Sequence, residues 1–146
     1  STVTKLSSTG TVLGTFTVGS GPHGITIDSS GNAWVSISGS DAAPGNTVNK
    51  LSSSGTLIGT FTVGSEPHGI RIDSAGNTWV ANYGSVAVPG TTVTELSSSG
   101  ATIGTFAAGN NPAGLAIDAS GNIWVANYGS NNVTQIKLVA APVTSF

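Results

Sequence analysis

A period of 45 residues constrains this chain more than any other feature. The stretches GPHGITIDSSGNAWV (21–35), EPHGIRIDSAGNTWV (66–80) and NPAGLAIDASGNIWV (111–125) align without gaps. Pro22, Pro67 and Pro112 are 45 apart, and so are Asp28, Asp73 and Asp118, and Trp34, Trp79 and Trp124. A second block keeps the same step: VTKLSSTGTVLGTF from 3, VNKLSSSGTLIGTF from 48 and VTELSSSGATIGTF from 93. A truncated copy, VTQI, begins at 133, five residues early. Repetition at a fixed period of about 20–50 residues marks chains built from stacked units, each unable to bury its apolar face alone.

The unit reads as four short strands, A to D. In the middle copy they are HGIRID (68–73), NTWVAN (77–82), TVTELS (92–97) and TIGTF (102–106). Apolar residues alternate, as on a strand with two distinct faces. The A–B connection is Asp-x-x-Gly-Asn. Its aspartate can accept from backbone amides just ahead, and its glycine can take positive φ. Ser-Ser-Ser-Gly does the same between C and D. Only 7% of residues are charged, and glycine occurs 21 times, which argues against solvated helices. Antiparallel four-stranded units at this spacing are the blades of an all-β propeller.

These same motifs carry a family resemblance. PxGIxIDxxGNxWVAN followed by NxVxxI resembles the NHL-repeat and virginiamycin B lyase-like propellers, and is related to gluconolactonase-type blades. The resemblance covers nearly the whole chain. Two departures stand out. Asn82, Asn127 and Ile37 occupy the place where the NHL pattern usually has Asp, and the usual Arg near the start of strand C is missing.

The 146 residues make one domain, with blade repeats near 22–66, 67–111 and 112–146, and residues 1–21 supplying outer strands of a composite blade. Propellers close with about 4–8 blades, so three leave an open arc with unpaired edges. A second copy repairs this: a homodimer makes a six-bladed ring. The chain begins with strands C and D and ends with A, B and C, so the closing blade mixes both termini. Strand C is then in surplus, at 3–6 and at 133–136.

Antiparallel strands sort the connections onto two faces. The A–B and C–D turns share one. The D–A and B–C connections share the other, which gathers His23, His68, Glu66, Arg71, Asn82, Tyr83, Asn127 and Tyr128 around the mouth of a channel. In a dimer four histidines surround it, and Ala113 breaks the pattern in each third blade. The long B–C segments, 37–48 and 83–93, suggest a lid or a partner contact.

Charged groups are scarce. Asp28, Asp73 and Asp118 read as turn caps. Asp41 and Glu95 read as solvated. Glu66 and Arg71 read as an ion pair, and the tryptophans as packing between blades. The resemblance to virginiamycin B lyase-like enzymes implies an alternative. There His68, His23 and Glu66 would be catalytic, with magnesium as cofactor, eliminating across an ester; a lactonase-like activity is the related option. Outside that alternative no cofactor and no metal site is expected. A non-catalytic binding or scaffold propeller is the first expectation, because few polar groups converge and no Ser-His-Asp order, phosphate loop or metal-ligand cluster appears.

Other classes are excluded. The four basic residues are scattered, which gives no surface for nucleic acid. No apolar run is long enough to span a membrane. There are no cysteines. The Ser/Thr-rich, charge-poor composition suggests an extracellular or periplasmic bacterial protein. The expected partners are a second copy of the chain and a small molecule or protein at the loop face.

Overall fold

The computed structural model describes residues 1–40 and 42–137. Among these described residues thirteen strands form four antiparallel sheets. A hairpin of β1 (Thr2–Leu6) and β2 (Val12–Thr17) comes first. Blade 1 follows as β3 (Pro22–Ile27), β4 (Ala33–Ser40), β5 (Ala43–Leu51) and β6 (Leu57–Thr62). Blade 2 comprises β7 (Pro67–Ile72), β8 (Thr78–Gly84), β9 (Pro89–Leu96) and β10 (Thr102–Ala107). Among the described residues blade 3 comprises β11 (Pro112–Ile117), β12 (Ile123–Asn127) and β13 (Asn132–Ile136). The all-β blades expected from the repeat are therefore present, and the hairpin supplies two strands of the C and D type.

The turns form as their chemistry dictates. Asp28 Oδ1 accepts from the Ser30 and Asn32 amides, and Gly31 takes a φ of 80°. Asp73 and Asp118 repeat the arrangement. Each aspartate has a second partner that the turn alone does not require. Its Oδ2 accepts from the indole Nε1 of the tryptophan six residues on, at 3.1 Å for Trp34 and 2.9 Å for Trp79 and Trp124. The turn cap thus also aims the ring that fills the seam between blades.

Two such seams close within the chain. Trp34 packs with Val48, Ile70, Val80 and Leu96 between blades 1 and 2, with Phe61 against it. Trp79 packs with Val93, Leu115, Val125 and Ile136 between blades 2 and 3, with Phe106 against it. Trp34 and Trp79 are both 0% exposed. Burying large side chains of this kind stabilises by roughly 1.5–3 kcal/mol each.

The inner strands β3, β7 and β11 lie side by side, which identifies the channel side of the arc. The glycine of Pro-His-Gly is required there. A Cβ on Gly24 would stand 2.4 Å from the His68 carbonyl oxygen, and one on Gly69 would stand 2.3 Å from that of Ala113. The long B–C segments are ordered by pairing with themselves. Gly39 pairs with Pro44 and Gly84 with Pro89, so both segments continue the blade as hairpins. No helix among the described residues is long and apolar enough to cross a membrane.

Candidate functional site

The D–A turns and the B–C hairpins meet on one face, as the strand directions require. Each D–A turn is clamped by backbone hydrogen bonds from its surroundings. The Glu66 amide donates to the Gly45 carbonyl of blade 1, and the Tyr83 amide donates to the Glu66 carbonyl. Blade 3 repeats this, with Asn111 donating to Gly90 and accepting from Tyr128. The turn position has a left-handed backbone in every copy: Gly21 at φ 62°, Glu66 at 45° and Asn111 at 51°. Glycine takes this conformation freely and asparagine often does, but glutamate does so at a cost of about 1 kcal/mol.

Onto this frame the aromatic residues stack. The rings of His23 and His68 lie 3.8 Å apart and 7° from parallel. The Tyr83 ring covers the other face of His68 at 3.9 Å and 9°. Tyr128 continues the row at 6.3 Å from Tyr83, tilted by 39°. A ladder of four rings therefore crosses all three blades. His68 and Tyr83 are half-buried inside it, and His23 and Tyr128 are its exposed ends. Ala113 stands where a third imidazole would continue the inner row. Beside it opens a cleft of about 350 Å³, lined by Ala113, Asn127, Tyr128, Asn131, Asn132 and Val133.

Stacking decides the chemistry of His68. Burial, and then the neighbouring His23, lower its pKa from 6.5 to about 4. It is neutral at pH 7 and a poor general base there. Imidazole lone pairs lie in the ring plane, so two nearly parallel rings 3.8 Å apart direct theirs along parallel lines. They do not converge on one ion. Among the described residues no three His, Cys, Asp or Glu side chains gather as a metal-binding group. Glu66 is the sole carboxylate that the described D–A turns contribute, and its side chain makes no hydrogen bond or ion pair among the described residues. Magnesium prefers several oxygen ligands near-octahedrally arranged, and this donor set does not fit it.

The other expected site residues separate. Asn82 and Asn127 are each 2% exposed and act as cross-links inside the blades. Asn82 donates to Thr92 and Thr94 and accepts from the Gly64 amide; Asn127 donates to Asn132 and Thr134. Arg71 does not pair with Glu66. It is exposed and donates to the Ile70 carbonyl, and the ion pair found among the described residues is Lys50–Asp28 at 3.2 Å. Glu95 is not solvated as expected; it is 6% exposed. Burial first, then the Asp73 charge, push its carboxyl above the ordinary range, against a hydrogen bond from Asn77. Its neighbours lie on both sides because blades cover strand C on two faces. Asp41 lies outside the described residues.

Sequence reasoning passed over Asn111. Its side chain donates to the Tyr83 and Ser85 carbonyls, tying blade 3 to the hairpin of blade 2. The alignment of Gly21, Glu66 and Asn111 was the available signal, since Gly and Asn share a taste for left-handed backbone.

Known proteins share this architecture. The sequence profile of the NHL repeat matches residues 110–136. No curated protein matches the chain significantly. A catalytically inactive virginiamycin B lyase from Staphylococcus aureus, solved with quinupristin, superposes with a TM-score of 0.71 at 17% identity, over 98% of this chain and 50% of that one. A gluconolactonase from Xanthomonas campestris gives 0.64 at 17% identity, over 85% of this chain and 40% of that one. A protein of unknown function from Bacteroides caccae gives 0.61 at 17% identity, over 92% and 53%. The chain thus spans about half the length of the structures it resembles. Identity at this level speaks for fold alone: the chain carries an NHL repeat and has the β-propeller fold seen in the virginiamycin B lyases.

Proposed function

We propose that the chain is a non-catalytic binding module, half of a six-bladed ring completed by a second copy, whose loop face takes an uncharged ligand. The observation that carries this reading is the aromatic ladder His23–His68–Tyr83–Tyr128. Ring faces and amide groups bind flat, neutral, polar molecules by stacking and hydrogen bonding. The free end of that ladder is Tyr128, whose ring stands 70% exposed beside Ala113. The test is calorimetric titration with neutral mono- and disaccharides and nucleosides, repeated on Tyr128→Ala. Binding that is lost in the variant supports the reading; binding confined to anions or cations contradicts it.

A second reading is a virginiamycin B lyase-like or lactonase-like enzyme. Two observations favour it: the fold shared with such enzymes, and the strained backbone of Glu66, since strain of this sort concentrates at functional sites. Ester elimination or lactone hydrolysis would be measured with and without magnesium, on the intact chain and on His68→Ala. Metal-dependent turnover that disappears in the variant would replace the binding reading.

A further inference from the structure

The two ends of the arc are complementary, and the register says how. Val3, Phe16, Ile25, Ile27, Val35 and Leu51 stand 45 residues before Val48, Phe61, Ile70, Ile72, Val80 and Leu96, which form the closed seam around Trp34. The same wall therefore exists between the β1–β2 hairpin and blade 1, but without a tryptophan. Val3, Phe16, Ile25, Ile27 and Leu51 line a slot of about 440 Å³ there. Ile25 and Ile27 are 47% and 58% exposed, whereas Ile70 is 0% exposed. At the other end of the arc, Trp124 is 41% exposed and Val133 61%. The slot lacks the piece that β11–β12 presents.

One strand stands in the way, and it is a copy of the strand that would replace it. β13 reads NVTQI and β1 reads TVTKL. β13 pairs with β12 in the register that β9 keeps with β8: Trp124 faces Gln135 as Trp79 faces Glu95. Ile136 fills the seam at 8% exposure, while its counterpart Leu6 is 55% exposed with no seam to enter.

Charge favours β1 in that seat. In blade 1, Lys50 pairs with Asp28 at 3.2 Å and lies 4.4 Å over the Trp34 ring, with a further bond to the Ser98 carbonyl. Lys5 is its equivalent and already makes the matching bond to the Ser53 carbonyl at 3.0 Å. It lacks only an aspartate and a tryptophan. Asp118 and Trp124 are an aspartate and tryptophan that lack a lysine, because β13 offers Gln135.

We propose that two copies close the ring by strand exchange: the β1–β2 hairpin of each adds to β11–β12 of the other in place of β13, seating Trp124 in the apolar slot and Lys5 against Asp118. The interface continues the blade-to-blade seam already repeated inside the chain. Among the described residues each copy supplies three inner strand pairs and three outer pairs, so two copies complete six blades and release both β13 strands. This rests on the dimeric ring proposed above and specifies how it closes.

Sedimentation equilibrium on the intact chain, Leu6→Asp and Lys5→Gln separates the two. Leu6 is exposed in the open arc, so Leu6→Asp leaves the fold intact, which circular dichroism checks. It is expected to raise the dimer Kd by about 100-fold, since it places a charge in an apolar seam. Lys5→Gln should raise it by about 5–10-fold. Hydrogen exchange in the dimer is expected to find the Thr134 and Gln135 amides unprotected. A dimer indifferent to Leu6→Asp, or one that protects β13, overturns the exchange and leaves a ring closed in another way. An intact chain that stays monomeric overturns the ring itself.

Discussion

Blades 2 and 3 contain the same local motif in two environments. In both, an aspartate caps the A–B turn and holds the indole of the tryptophan six residues on at 2.9 Å. Yet Trp79 is fully buried and Trp124 is 41% exposed. The turn and the ring orientation are local properties; burial is conferred by the next blade. Gly69 and Gly114 differ in the same way. A Cβ on Gly69 would collide with Ala113, whereas one on Gly114 would find nothing nearer than 3.8 Å. A blade is therefore formed by its own sequence and stabilised by its neighbour.

The comparison is broken most forcefully at the tryptophans. Trp79→Ala should cost about 3–5 kcal/mol, the usual range for emptying a packed aromatic site. Trp124→Ala should cost only about 1 kcal/mol in the open arc, because water already reaches the ring. Urea denaturation at protein concentrations spanning monomer and dimer measures both. Equal costs at every concentration would mean that the two sites do not differ.

The next effect is pH-dependent and confined to blade 2, since blade 3 has Ala113 in place of His68. The folded pKa of His68 is lowered to about 4 from 6.5. The unfolded chain then binds the proton first, so stability is fully present above about pH 6.5 and falls as pH drops toward 4. Discounted for the partial exposure of the ring, the loss at pH 4.5 is about 1 kcal/mol. His68→Phe should keep the stack and flatten that part of the pH profile. A profile that keeps its slope would place the titrating group elsewhere.

Blades 1 and 2 carry opposite charges at one position of strand C. Burial works against the charge of Asp28, but hydrogen bonds from Asn32, Trp34 and Lys50 hold its carboxyl well below the usual range. Blade 2 has Glu95 in place of Lys50, facing Asp73 with its own carboxyl pushed up. Glu95→Lys should recreate the pair and the cation over Trp79, raising stability at pH 7 by about 1 kcal/mol. Thermal denaturation would register no gain if the blade 1 arrangement contributes nothing.

The smallest effect is at the D–A turn. Glu66→Gly matches the left-handed backbone already held by Gly21 and should stabilise by about 0.5–1 kcal/mol. A loss instead would indicate that the Glu66 side chain makes a stabilising interaction in solution.

Much of this was legible in the sequence. The 45-residue step located the strands, and Asp-x-x-Gly-Asn located the hairpins, because both rest on interactions within a few residues. Asp-to-Trp bonding was also available, in the constant spacing of six. The B–C hairpins were read as loops because Gly, Pro and Ala have little strand preference; pairing across the hairpin overrides it. Glu95 looked exposed because TVTEL alternates, but a blade is covered on both faces. The shared face of His23, His68, Tyr83 and Tyr128 followed from strand direction. Their stacking did not, since it depends on the distance between blades, which no single repeat encodes.

The central proposal is that this chain is half of a ring and completes it with a second copy. Its molar mass in solution, measured by light scattering across a dilution series, tests that most directly. The account predicts a species near twice the 14.3 kDa of one chain. A folded species that remains at 14.3 kDa at every concentration would contradict it.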